Sequence, residues 1–182
     1  EAIQKSSQVA IAKVALDLPR DAVFDVLQRS GLGDYVGTGL PGEVTGLFSN
    51  VGMQSRVSRT AMAYGYGFTV TPLQLASAYV ALAGHGSRLP LSILKQDRVP
   101  EPQQVFDADD AREVIAMMER VTQQGGTATN ADIDDYRVAG KTGTARVLEN
   151  GRYNDERHVA WFAGLAPVSD PRIVMVVLVN EP

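Results

Sequence analysis

The chain has no cysteine, one tryptophan and two histidines among its 182 residues. Without a thiol there is no disulfide framework, no cysteine nucleophile and no thiolate metal site. His85 and His158 stand far apart and have no companion ligand at metal-binding spacing, so neither is expected to hold a metal. No cofactor is expected either. An excess of positive charge is also missing: 17 Lys and Arg face 21 Asp and Glu, a net charge of −4. Nucleic acid is therefore excluded as the main partner, because a phosphate-binding face needs clustered cations. The longest apolar run, Ile173 to Val179, is the length of a strand and too short to span a membrane. The GxSxG elbow of one large hydrolase class does not occur. No signal peptide is found, and the polar opening EAIQKSSQ, starting on Glu1, reads as part of a longer protein.

What is there is enough for one domain. Hydrophobic residues make up 45% of the chain, sufficient for a sizeable core. From Ser6 or Ser7 to Leu16, Val9, Ala12, Ala15 and Leu16 fall at helical spacing behind a serine cap. A second helix runs from Asp21, carries Val23, Phe24, Val26 and Leu27, and stops at Gly31. Residues 31 to 58 read as loop. Thr71 and Pro72 open a third helix, with Leu73, Ala76, Tyr79, Val80 and Ala83 as its expected face and Gly84-His85-Gly86 as its stop. A further helix covers about Asp109 to Gln123, ended by Gly125-Gly126. The period then changes. Strands are expected at 138–146, 159–165 and 173–179, with a polar loop from Glu149 to Arg157 around Asn150-Gly151. The fold class is α+β: residues 1–125 mainly helical, residues 136–182 a three-stranded antiparallel meander.

The stretch VAGKTGTAR, residues 138–146, puts two glycines into a strand, where they weaken it. Period two sends Thr142 and Thr144 to one side and Lys141 to the other. Two hydroxyls two residues apart can bind one carboxylate, and Gly143 between them leaves room for a ligand backbone. An edge strand carrying a protective lysine remains the alternative.

KTGT, together with YGYGFTVTPLQLASAY at 64–79, the glycine pair before YRVAGKTGTA, and WFAGLAP at 161–167, resembles the class B penicillin-binding proteins. The resemblance is to the division type and runs along the whole chain. It implies the C-terminal part of a penicillin-binding, β-lactamase-like transpeptidase domain. It further implies a peptidoglycan D,D-transpeptidase that works through an acyl-serine intermediate at the division septum and is acylated by β-lactams. In that resemblance Ser6 of Lys5-Ser6-Ser7-Gln8 takes the place of the S-x-N serine, and Gln8 stands where asparagine is expected. Ser6 would relay a proton and Lys141 would hold it; Thr142, Gly143 and Thr144 would take the substrate carboxylate and backbone. Tyr66 would belong to an aromatic wall, with loop packing as the alternative. Ser92-Ile93-Leu94-Lys95 fits S-x-x-K but reads as a decoy, since it precedes a proline-rich loop and lies after the S-x-N position. The nucleophile is expected before residue 1.

The implied partners are stem peptides, β-lactams, the upstream part of the same protein and other division proteins. The implied location is the periplasmic face of the inner membrane, with the anchor outside this chain. A low-activity paralogue or division-site scaffold is an alternative on the same fold, with Gln8 as its clue. A soluble β-lactamase or D,D-carboxypeptidase is a third, and the VTPLQLA segment argues against it.

Overall fold

A computed structural model describes residues 1–49, 55–149 and 151–182. The first part is helical: α1 (Gln8–Asp17), α2 (Ala22–Arg29), α3 (Arg56–Ala63) and α4 (Pro72–Ala83). Next come the paired short strands β1 (Ser87–Arg88) and β2 (Gln103–Gln104), and then α5 (Ala108–Thr122). The chain ends in β3 (Ala139–Glu149), β4 (Arg152–Ala166) and β5 (Ile173–Asn180), an antiparallel sheet in the order β3-β4-β5. This order leaves β3 on an edge. α5 lies against β3, and Ile115 and Met118 of α5 join Ala139 and Leu165 in a buried cluster beneath it.

Three sequence expectations need correction. Residues 31–58 are not loop to their end, because α3 starts at Arg56 behind Ser55, whose hydroxyl accepts from the Ser58 N–H at 3.0 Å. RVSRTAMA is only two turns long, shorter than the stretch over which a helical period can be read. The polar stretch 149–157 is largely strand rather than loop. β3 continues to Glu149 and β4 begins at Arg152, because backbone pairing does not require apolar side chains. Ion pairs from Arg146 to Asp155 and from Arg157 to Glu149 bridge the two strands. Asn150 and residues 50–54 lie outside the described residues. Finally, the fully buried side chains of α4 are Gln74, Ser77 and Ala81, while Tyr79 and Ala83 of the expected face pack, partly buried, against the core cluster.

Gln74 explains this last difference. Thr71 and Gln74 form a reciprocal capping box at the start of α4. The Gln74 side chain is fully buried and also donates from Nε2 to the carbonyls of Asp34 (2.8 Å) and Thr45 (2.9 Å). One amide thus clamps both ends of the 34–45 loop to the helix. Inside that loop Glu43 accepts from the N–H groups of Val36, Gly37 and Thr38 and from the Thr38 hydroxyl. Desolvation would raise its pKa, but these bonds outweigh it and hold the carboxyl below its ordinary value. Phe48 stacks on Phe24 of α2 at 4.7 Å and meets Phe68 edge-on at 5.7 Å, tying loop, helix and the GYGF turn together.

Candidate active site

Ser6 sits at an elbow between a turn and a helix. The Ser6 N–H donates to Ile3 O (3.1 Å) and the Ser7 N–H to Ala2 O (2.9 Å), the paired bonds that close a Schellman-type end. The residue at that corner is left-handed and usually glycine; here it is Ser6, with φ 54°. A non-glycine residue held there costs roughly 1–2 kcal/mol. The next residue, Ser7, caps α1 by accepting from the Ala10 N–H at 3.3 Å. The local sequence thus accepts strain to place a hydroxyl where the chain reverses.

Opposite lies the free edge of β3. Lys141 Nζ donates to Ser6 Oγ and, at 2.6 Å, to the carbonyl of Thr142. Ser6 and Gln8, Tyr66, and the run Lys141 to Thr144 all line one cavity of about 390 Å³. All seven residues singled out in the sequence meet here, although they come from three separated segments. The expectation that Lys141 faces away from Thr142 and Thr144 describes the strand but not the cavity. The cavity runs along an edge, and the lysine stem reaches round it.

The two glycines of the stretch have different reasons. A Cβ on Gly140 would lie 2.5 Å from the ring of Phe162 on β4, so this glycine lets an aromatic ring rest across the strand. A Cβ on Gly143 would meet nothing closer than Trp161 Cβ at 3.8 Å, so that position is open. Tyr66 lines the cavity and is also held edge-on between Tyr64 (5.9 Å) and Tyr153 of β4 (5.5 Å). Packing and wall are compatible for this ring. Tyr79 of α4 also lines the cavity, and burial pushes its phenol up to about 12. Ser92 and Lys95 are on no helix and do not line the cavity; Ser92 Oγ bonds its own segment at Leu94. Two contacts escaped sequence reasoning because they are purely tertiary. Lys5 Nζ donates to Gly125 O (2.7 Å), and the Thr127 and Thr142 hydroxyls are 2.8 Å apart.

Burial pushes the Lys141 ammonium below its ordinary value of 10.5. Two consequences follow from the sign. The lysine gives up a proton more readily than a solvated one does. And because the unfolded chain binds that proton more tightly, stability rises with pH from the lowered native value to 10.5. In an NMR titration, the lysine resonance lost in Lys141→Met should show a midpoint below 10.5; a midpoint at or above that value would contradict the burial argument.

The arrangement offers a hydroxyl bonded to a cation, a pair of threonine hydroxyls on an open strand edge, and an aromatic wall. This equipment suits acyl transfer on a peptide that ends in a carboxylate. The chain is similar to known proteins. The chain is 41% identical over 180 residues to the probable peptidoglycan D,D-transpeptidase PenA of Neisseria gonorrhoeae. It is 42% identical over 181 residues to the peptidoglycan D,D-transpeptidase FtsI of Escherichia coli K12. In each case 99% of the chain is aligned but only 31% of the relative's length. The apo transpeptidase domain of penicillin-binding protein 3 from Burkholderia pseudomallei superposes with a TM-score of 0.94 at 37% identity, over all of this chain and 55% of that one. The penicillin binding protein transpeptidase domain family matches residues 1–182 throughout, and the chain belongs to that family.

Proposed function

We propose that the protein carrying this chain is a division-type peptidoglycan D,D-transpeptidase, to which the chain contributes the binding half of the active site. The observation that carries this reading is the Lys141–Ser6 hydrogen bond at the mouth of a cavity walled by Thr142 to Thr144. The nucleophile is a serine of an S-x-x-K helix in the part of the domain that precedes residue 1. Its oxygen attacks the penultimate D-Ala carbonyl of a stem peptide. The C–O bond of the acyl-enzyme forms, the amide C–N bond breaks, and terminal D-Ala leaves with the proton relayed through Ser6. An amine of a neighbouring stem then takes the acyl group and frees the serine.

Lys141 holds the Ser6 oxygen and makes the site electropositive. The hydroxyls of Thr142 and Thr144 bind the terminal carboxylate. Gly143 lets the substrate backbone lie along β3 as an added strand, and Gln8 reaches a substrate carbonyl with its amide. β-Lactams enter the same cavity and acylate the same serine. The protein works on the periplasmic face of the inner membrane with other division proteins, held by an anchor elsewhere in its chain; among the described residues no helix is long and apolar enough to cross a membrane.

A labelled penicillin added to the native full-length protein should attach at one site per molecule, and prior treatment with unlabelled penicillin should block it. Native protein that takes up no label would sink the proposal.

A further inference from the structure

The glycine pair before β3 has no task in the mechanism above, yet the turn that holds it is firmly built. Lys5 Nζ donates to Gly125 O (2.7 Å), the Gly126 N–H to Gln123 O (2.8 Å) and the Ala128 N–H to Val121 O (2.9 Å). A Cβ on Gly126 would lie 2.0 Å from Val121 O, so only glycine lets the turn close this tightly on the end of α5. The residue between these fixed points is Thr127, whose hydroxyl lies 2.8 Å from that of Thr142. Lys5 directly precedes Ser6. The brace therefore joins the two sides of the cavity, Ser6 on one and Thr142 on the other.

From this geometry we propose that Thr127 is a positioning residue for the carboxylate site: it donates to Thr142 Oγ1 and so turns the single Thr142 proton outward, toward the ligand anion. The inference rests on the transpeptidase reading above. Its logic is a count of protons. A threonine hydroxyl has one hydrogen and can accept at its lone pairs, whereas a carboxylate only accepts. In the 2.8 Å pair either oxygen can be the donor when the site is empty. Once an anion sits at Thr142, that hydroxyl must give its hydrogen to the anion, and the inner bond survives only if Thr127 is the donor. The result is a directed chain from Thr127 through Thr142 to the carboxylate, in which each bond polarises the next. Thr127 does not line the cavity and acts through Thr142 alone.

The test compares the full-length wild type with Thr127→Val and Thr127→Ser. Each is acylated by a penicillin and by the methyl ester of the same penicillin, which lacks the anion. The readout is the ratio of the two second-order acylation constants. Valine keeps the shape but cannot donate, so the acid-to-ester ratio should fall roughly three- to tenfold, the scale of one hydrogen bond between neutral hydroxyls. Serine restores the hydroxyl and should keep the ratio within about twofold of the wild type by the same argument. A purely structural role would slow acid and ester alike and leave the ratio where it was. Thr127→Ala replaces the valine variant if melting shows that valine misfolds. An unmoved ratio in the variants without a hydroxyl, or an equal fall with serine, overturns the inference while the transpeptidase reading stands. Wild-type protein that the acid fails to label removes both.

Discussion

Replacing Lys141 by methionine should slow acylation of the full-length protein by penicillin roughly a hundred- to ten-thousandfold, the range expected when a proton-handling or charge-stabilising group is lost. The lysine touches two partners at once, Ser6 Oγ and the Thr142 carbonyl. Methionine keeps the length of the stem but donates to neither. Ser6 would lose the group that fixes its oxygen, and the cavity would lose the cation beside Thr142. Arginine should not rescue the activity, because a planar guanidinium cannot replace a compact ammonium donating in two directions. Folding should hold, since the change removes a charge whose burial disfavours it. Stopped-flow or gel-based acylation rates decide the matter. A rate within about threefold of the wild type would show that the Lys141–Ser6 bond is scaffolding, a loss too small for a group acting on the reacting atoms.

The second large effect concerns stability. Gln74→Leu should cost about 2 kcal/mol, because leucine, shorter and without an amide, leaves two part-buried bonds to Asp34 O and Thr45 O unmade and the Thr71 N–H without its partner. The amide itself is fully buried, while the carbonyls it holds are only part-buried, so water offsets some of the loss. The denaturant midpoint of the full-length protein measures the loss. A change below about 1 kcal/mol would mean that the 34–45 loop holds without its clamp. The damage should also reach the cavity, since Thr71 and Gln74 fix the start of the helix that immediately follows the Tyr66 turn.

What could be read in advance follows from how local each signal is. The start of α4 was legible because Thr71, Pro72 and Gln74 act within one turn of the helix. The residues that line the cavity could be singled out in advance because KSSQ, the GYG turn and KTGT are compact motifs. α3 was not, because the eight residues of RVSRTAMA are too few to show a period and their place is fixed from elsewhere: Arg59 donates at 3.0 Å to both Ala15 O and Leu18 O at the end of α1. The polar ends of β3 and β4 escaped because period-two reasoning looks for apolar faces, while pairing there rests on backbone bonds and exposed ion pairs. The burial of Gln74 could not be foreseen, because its partners lie 29 and 40 residues away. Lys5 and Thr127 were hidden for the same reason.

The bond between Ser6 and Lys141 spans 135 residues of chain. Closing a loop of that size costs about 4 kcal/mol of chain entropy, more than one hydrogen bond returns. The contact therefore cannot nucleate anything. By that cost it is expected to form after α5 has docked on β3 and the helices have settled, among the last contacts as the polypeptide matures. A partly folded molecule would carry a recognisable sheet and no competent pocket. On the proposed function, antibiotic and substrate alike would then meet a usable site only on finished protein, and the time between synthesis and first acylation would report when folding is complete.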